Sequence, residues 1–241
     1  MRLWIDTDIG DDPDDTVALY CAQHARDLEL VGVSTVDGDV QRRAELARRY
    51  AGDIPVIAGP PPGEQLANVE ALLGIGPWTN IAQLADEAML PPRVVVMGGA
   101  LGPVKHHGVV HQIEYNVGRD PAAAARLLNT TGNLIVVPLD VTARLEVGER
   151  DEEVLTNSIP GLQAQIDDWR KRIGDYPLVL HDPAALLVAA GEHVARFESR
   201  RLRVEPDGTM LASVDGPLQR VAAHIDDELT RARVRALATS G

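Results

Sequence analysis

Six aspartates lie within ten residues near the start of the chain, at positions 6, 8, 11, 12, 14 and 15. The apolar segment Leu3–Ile5 precedes them and the apolar run 16–22 follows, which predicts a strand, a turn and a helix. Six like charges in one turn repel each other unless a cation lies among them. In open α/β sheets, ligands bind outside the carboxyl ends of strands, so the pattern predicts a cation site there.

The stretch contains no Cys and no His, which favours a hard cation over zinc. We expect Ca²⁺, because it tolerates irregular coordination by carboxylates, carbonyls and hydroxyls. An EF-hand loop is excluded, since the sixth residue counted from Asp6 is Asp11 rather than Gly. A solvated acidic loop is the simplest alternative, and helix capping by Asp explains only one of the six carboxylates.

A second metal motif also fits part of this stretch. The segment Ile5–Gly10 resembles the Asp-x-Asp-x-Thr/Val signature of haloacid-dehalogenase phosphatases, except at Gly10. That resemblance implies a Mg²⁺-dependent phosphatase with Asp6 as the nucleophile. It remains an open alternative at this point.

Further strand patterns alternate with helical ones along the chain. Apolar runs that predict strands occupy 28–36, 55–59, 93–97, 134–142 and 221–226, and a hairpin is predicted around 207–208. The alternation predicts an α/β fold with an open, mostly parallel central sheet and helices on both faces. With 241 residues and 45% hydrophobic content, we expect a single domain over residues 1–241.

Charge and cysteine content limit the partners and the compartment. A formal net charge of −13 disfavours binding to nucleic-acid phosphates, so we expect no nucleic-acid partner. Cys21 is alone and lies in an apolar helical run, which fits a reducing compartment. Neither a signal-peptide pattern nor an apolar run long enough to span a bilayer is present, so we expect a cytoplasmic protein without a membrane partner.

Five motifs follow one another at predicted strand ends: Asp6–Gly10 with Asp14–Leu19, Gly76–Asn80, Met97–Gly99, Glu114–Asn116 and His181–Pro183. In this order they resemble the inosine-uridine-preferring nucleoside hydrolases. The resemblance implies a Rossmann-like core and calcium-dependent hydrolysis of the N-glycosidic bond of a ribonucleoside or related riboside. It also implies a small-molecule riboside as partner, a role in purine or pyrimidine salvage, and a homo-oligomer, either a dimer or a tetramer.

The resemblance also implies roles for individual residues. Calcium would be held by Asp8, Asp15, the carbonyl of Ile75 and Asp182. Asp8 would be the general base, and His181 would protonate the departing base. The sugar would be bound by Asp14, Asp39, Met97, Glu114 and Asn116.

Three departures from the family pattern motivate a further alternative. Asp39 and Gly108 stand where the family has sugar-binding Asn residues, and the long lid that follows the third strand in the family is largely missing. A non-catalytic protein that binds ribose or a riboside is therefore the other open hypothesis. The His-rich segment 106–111 is predicted to be a surface loop, although one of its histidines could act as the acid instead of His181.

Overall fold

A computed structural model describes residues 1–132 and 134–241. The strands are β1 (Arg2–Thr7), β2 (Glu29–Thr35), β3 (Val56–Ala58), β4 (Ala71–Gly74), β5 (Arg93–Met97), β6 (Val104–His106), β7 (Val109–His111), β8 (Leu134–Val137), β9 (Ala195–Val204), β10 (Met210–Ala212) and β11 (Leu218–Ile225). The helices are α1 (Asp14–His24), α2 (Val40–Ala47), α3 (Gly63–Leu66), α4 (Thr79–Asp86), α5 (Tyr115–Arg119), α6 (Pro121–Thr130), α7 (Leu139–Thr142), α8 (Glu149–Ser158), α9 (Leu162–Ile173), α10 (His181–Ala189) and α11 (Asp227–Ala238).

Nine strands form one sheet in the order β10-β9-β11-β8-β5-β4-β1-β2-β3. The pairs from β3 to β11 are parallel, and β9 joins β11 and β10 in antiparallel fashion. Alternate residues of β1 face opposite sides: Leu3 and Ile5 belong to one apolar cluster and Trp4 to the other. The first cluster includes residues of α1, α10 and α11, and the second includes residues of α4 and α6. The predicted α/β fold, with a mostly parallel sheet covered on both faces, is confirmed.

The strand order reverses direction at β1. The chain passes from β1 to β2 and β3 on one side, and then returns to β4 on the other side. Such a switch point leaves a crevice at the carboxyl ends of the strands, because successive connections lead away from it in opposite directions. The acidic segment follows β1 directly at this position, as the sequence predicted.

Three segments differ from the expectations. Ala71–Gly74 forms a buried central strand, although its four residues are too few to give a recognisable period. The predicted strand 134–142 ends at Val137, and Leu139–Thr142 forms a helical turn, since Pro138 donates no hydrogen bond to a sheet. The expected loop after Leu101 contains the hairpin β6–β7. Its turn residues His107 and Gly108 have φ values of +45° and +73°, as a two-residue turn with both φ values positive requires.

The strands of the main sheet are distributed along the chain from Arg2 to Ile225. The single domain over residues 1–241 stays a prediction. Among the helices of the described residues, none has both the length and the apolar character that a bilayer crossing needs.

Candidate active site

Three buried carboxylates from distant parts of the chain meet at the crevice. Asp14 and Asp15 begin α1, and Asp182 is the second residue of α10. One oxygen atom from each of the three lies within 4.8 Å of the others. The backbone N–H of Asp182 donates to Oδ2 of Asp14 at 3.1 Å, which ties the two helix starts together. The structure therefore brings together the N-terminal acids and Asp182, which only the family resemblance had connected.

The negative charges of these three carboxylates would repel each other. Burial, together with the charges of Asp12 and Asp8, raises the pKa of Asp14 to about 8. Burial and the neighbouring carboxylates likewise raise the pKa values of Asp15 and Asp182 well above their ordinary range. Without a cation, these groups can be buried together only if they retain protons.

Asp8 follows β1 and is also buried. Burial raises its pKa to about 7, and the Arg43 guanidinium opposes that shift. Asp8 lines the same cavity as the three carboxylates, and its charge raises the pKa values of Asp14, Asp15 and Asp182. The position fits either role predicted for it, ligand or general base.

Arg43 of α2 holds the loop that carries Asp8. Its guanidinium donates to the backbone carbonyls of Asp8 and Ile9, the latter at 3.1 Å, and to the carboxylate of Asp11 at 2.7 Å. Its Nε donates to the carbonyl of Asp37 at 2.8 Å. This role was not predicted from the sequence. The only signal available there was a basic residue on the helix that follows β2.

Asp6, the first acid of the motif, lies apart from the cavity. Its Oδ1 accepts hydrogen bonds from Ser34 Oγ at 2.5 Å and from Asn80 Nδ2 at 2.9 Å. Among the described residues, its Oδ2 is buried without a hydrogen-bond partner. Burial raises its pKa to about 7. Asp6 therefore joins β1 to β2 and α4, and it does not face the carboxylate group.

Glu114 and Asn116 line the other side of the crevice. Both oxygens of Glu114 accept backbone N–H groups: Asn116 at 2.7 Å, Val117 at 3.1 Å and Gly99 at 2.7 Å. Asn116 Nδ2 lies 3.5 Å from the carbonyl of Ile75 and 3.3 Å from that of Met97. Glu114 therefore fixes the loops around the crevice, and Asn116 contacts two of the predicted site residues.

Gly98 explains why the Met-Gly-Gly motif needs glycine. Its φ is +147°, and a Cβ there would stand 2.9 Å from the Trp78 indole nitrogen and 3.1 Å from Glu114 Oε2. The indole N–H itself donates to the carbonyl of Met97 at 3.0 Å. A side chain at position 98 would therefore displace Glu114.

Histidines form another part of the crevice wall. His181 Nδ1 lies 2.8 Å from Thr142 Oγ1, and His181 Nε2 lies 3.4 Å from His106 Nε2. Burial and the neighbouring His106 and His107 lower the pKa of His181 well below its ordinary value, so the ring is neutral near pH 7. The ring must therefore gain a proton before it can act as the predicted acid, and that role stays a prediction.

These groups line one cavity of about 480 Å³, within the size range of small-molecule sites. Its lining includes Asp8 and eight more of the predicted site residues: Asp14, Asp15, Ile75, Met97, Glu114, Asn116, His181 and Asp182. His106, His111, Trp169 and Arg172 also line it, although the sequence predicts a surface loop for the first two and gives no functional signal at the other two. Trp169 and Arg172 were missed because α9 reads as a polar surface helix.

Asp39 lies elsewhere. Its carboxylate caps α2 by accepting the backbone N–H of Arg42 at 3.0 Å. It lines a separate, smaller cavity with Gly10, Asp11 and Leu46. Its predicted contact with the sugar stays a prediction, and capping accounts for the residue in the free protein.

The donor set fits a hard divalent cation. The ligand atoms available are carboxylate oxygens, and their pKa values are raised by burial and mutual repulsion, which a positive charge would relieve. The carbonyl of Ile75 is a further oxygen at the same cavity.

Comparison with known proteins decides the family. The model of the inosine-uridine preferring nucleoside hydrolases matches residues 64–234, which is more than half of the chain. The chain belongs to the inosine-uridine preferring nucleoside hydrolase family. The predicted family and the predicted enzyme class, an N-ribosyl hydrolase, are confirmed.

Individual relatives agree with this assignment. Uridine nucleosidase 1 of Arabidopsis thaliana is 26% identical over 269 residues, covering 86% of this chain and 79% of that protein. The non-specific ribonucleoside hydrolase RihC of Klebsiella pneumoniae (strain 342) is 25% identical and covers 88% of this chain and 87% of its own length. The solved structure of a plant nucleoside hydrolase superposes with a TM-score of 0.81 at 19% identity, covering 100% of this chain and 99% of the other, which shows a shared fold.

The chain is a short form of nucleoside hydrolase. The alignment with the Arabidopsis protein runs over 269 residues, more than the 241 of the whole chain, so that relative carries inserted segments. The shortened lid stays a prediction.

Proposed function

We propose that this nucleoside hydrolase uses a calcium ion to hydrolyse the N-glycosidic bond of a ribonucleoside or related riboside, giving ribose and a free base. The observation that carries the proposal is the meeting of Asp14, Asp15 and Asp182 in one cavity with Glu114 and Asn116. Acidic groups on one wall and hydrogen-bonding groups on the other suit a pentose with several hydroxyls.

The proposed ligands are Asp8, Asp15, Asp182 and the carbonyl of Ile75. A hard cation bound there would neutralise the carboxylates and make nearby water more acidic. All four residues line the cavity, and Asp14 shares the carboxylate group at its centre.

Asp8 is proposed as the general base. Its carboxylate lines the cavity, and Arg43 fixes the backbone that presents it, so it can accept a proton from water held there. Asp14 is proposed to orient the ribose 2′-hydroxyl, and Met97 to pack against the ring. We keep His181 as the residue that faces the departing base. As an acid it must first gain a proton, because its ring is neutral in the free protein.

The phosphatase alternative places the reaction at Asp6. That carboxylate is buried and accepts hydrogen bonds from Ser34 and Asn80, away from the cavity. The geometry therefore gives a nucleophile at Asp6 no route to a substrate in this cavity.

The non-catalytic alternative is favoured by one observation, the short chain that leaves out segments present in a relative. Ribose binding without turnover of any nucleoside would support it. Both hypotheses place the riboside in the same cavity. They differ only in whether the N-glycosidic bond is broken.

The test is a panel of purine and pyrimidine nucleosides, with and without chelator, scored for free ribose. We expect release that stops on chelation and recovers with Ca²⁺. Asp8→Ala should lower the rate by about 10²- to 10⁴-fold, the usual contribution of a general base. Asp53→Ala, which removes an exposed carboxylate, is the matched control. Unchanged release by Asp8→Ala would show that another group is the base.

We also infer a cytoplasmic homo-oligomer that acts in nucleoside salvage. The free, buried Cys21 fits a reducing compartment. Val109 and Val110 of the β6–β7 hairpin are 59% and 57% exposed beside the cavity, and a second copy of the chain would cover this apolar surface. Light scattering coupled to size-exclusion chromatography measures the oligomeric state, and a monomer at micromolar concentration would contradict the inference.

A further inference from the structure

The pair of histidines on the cavity wall has an unusual arrangement. His106 ends β6, and His181 is the first residue of α10. Their Nε2 atoms face each other at 3.4 Å, beyond the usual range of about 2.7–3.2 Å for a hydrogen bond from N–H. Two imidazole nitrogens bound to one tetrahedral zinc ion, each at about 2.0–2.1 Å, stand about 3.3 Å apart.

The partners of His181 define its tautomer. The hydroxyl of Thr142 donates to the carbonyl of Pro138 at 3.5 Å, so its oxygen can accept the Nδ1–H of His181 at 2.8 Å. Nε2 of His181 then carries a lone pair directed at His106. Histidines that bind metals are generally oriented in this way, by a hydrogen bond from the other ring nitrogen.

A third histidine is within reach. His111 of β7 also lines the cavity, and its ring centroid lies 6.0 Å from that of His106. Among the described residues only the three carboxylates form a set of three ligand atoms within 4.8 Å of one another, so His111 has to rotate to join the pair as a ligand. Three histidines and one open position are a common ligand set for zinc, whereas the carboxylate group offers only oxygen atoms.

We propose that His106 and His181, with His111 as a third ligand, form a second metal site that binds a transition-metal ion of the Zn²⁺ class. The site is separate from the carboxylates and prefers a different class of metal, because imidazole is a softer ligand than carboxylate. A metal ion there would occupy Nε2 of His181 on the wall of the same cavity. Zn²⁺ would therefore inhibit turnover while calcium remains bound.

The test is calorimetric titration of tag-free protein with Zn²⁺ in the presence of saturating Ca²⁺, which occupies the carboxylates. We expect one Zn²⁺ per chain. His106→Asn should weaken binding by at least about 100-fold, since it removes a ligand. Thr142→Val, which keeps the shape but removes the oxygen that accepts from His181, should weaken binding by about 10- to 100-fold. His193→Asn, at an exposed position outside this cavity, is the matched control.

Titration with Co²⁺ gives an independent readout. Visible absorption bands of tetrahedral cobalt should appear with the parent protein and be absent with His106→Asn. Zn²⁺ binding that is equally strong in His106→Asn and the parent would overturn the proposal. A parent protein that binds no Zn²⁺ would also overturn it, and the histidine pair would then share only a proton. Because both readouts measure binding, neither result depends on nucleoside hydrolysis.

Discussion

At the scale of single residues, the first two acids of the N-terminal motif have different tasks. Asp6 connects β1 with Ser34 and Asn80, whereas Asp8 lines the cavity. The residue pattern alone could not separate them, because strand alternation depends on where the strand ends, and only the family resemblance assigned the metal to Asp8. Nor could it show that Arg43 binds the loop carbonyls, since that contact depends on how α2 packs.

Replacement of Asp6 by Asn tests its structural role. An unfolded Asp ionises near pH 4, but the folded carboxyl keeps its proton up to about pH 7 because it is buried. The unfolded chain therefore releases this proton at a lower pH than the folded protein does. As a result, the parent loses unfolding free energy as the pH rises through that window. Compared with the parent, Asp6→Asn should gain up to about 3 kcal/mol of unfolding free energy between pH 5 and pH 8.

Urea unfolding of both proteins at the two pH values measures this change. The variant should also retain most of the parent's ribose release, because Asp6 does not face the cavity. A phosphatase with Asp6 as nucleophile would instead lose its phosphate release completely. A stability difference that stays constant with pH would contradict the assigned pKa.

Cys21 should be chemically inert in the folded protein. It is fully buried on α1, with Sγ 3.7 Å from the carbonyl of Val234, and burial raises its pKa to about 12. The thiolate is the reactive form, so almost none is present near neutral pH. We expect no reaction with a thiol reagent such as DTNB in buffer and one equivalent in denaturant. Rapid labelling of the native protein would show that α1 opens readily.

At the scale of elements, the strong strand patterns were predictable and the short ones were not. The run Arg93–Met97 is β-branched and buried, and it appears as β5. In contrast, β4 has four residues and is set mainly by its neighbours β1 and β5. The β6–β7 hairpin was missed because its turn is His107–Gly108 rather than Asn-Gly or Asp-Gly. As a result, the histidines on the cavity wall could not be placed from sequence.

Gly76, just after β4, gives a direct test of how an element positions the site. A Cβ there would stand 2.8 Å from the backbone nitrogen of Asp8 and 2.7 Å from Val36 Cγ1. Neither atom is the far end of a flexible side chain, so Gly76→Ala should push the Asp8 loop away. A displacement of about 1 Å at a catalytic group can lower the rate about 100-fold, and we expect a loss of that order.

The matched control is Gly102→Ala, since a Cβ there meets no atom within 4 Å. Ribose release under saturating Ca²⁺ and far-ultraviolet circular dichroism should be measured for both variants. We expect the fold to be retained in both and activity to fall only in Gly76→Ala. Equal activity of the two variants would mean that the Asp8 loop can move without consequence.

At the scale of the whole molecule, the site joins the start of the chain to its last third. Residues 64–234 match the family model, whereas Asp14 and Asp15 precede that range and Asp182 lies within it. A cation bound by these groups would hold α1 against α10 and remove the repulsion between their carboxylates. It should therefore stabilise the fold as a whole rather than one loop.

Calcium should consequently raise the melting temperature. At a free concentration of 100 times Kd, binding to the native state alone adds about 2.7 kcal/mol. For a chain of this size the shift is roughly 5 to 11 °C. Asp182→Asn removes a proposed ligand and should abolish most of the calcium-dependent shift. Its own melting temperature without calcium should rise near neutral pH, since the amide needs no proton to be buried beside the other carboxylates.

Asp53→Asn removes the same charge from an exposed position and should keep the full calcium-dependent shift. Differential scanning calorimetry over a calcium series distinguishes the two variants, because the comparison uses the shift and not the absolute temperature. A shift of the same size in Asp182→Asn and Asp53→Asn would mean that calcium acts at some other place. The convergence of α1 and α10 would then serve only to pack the fold.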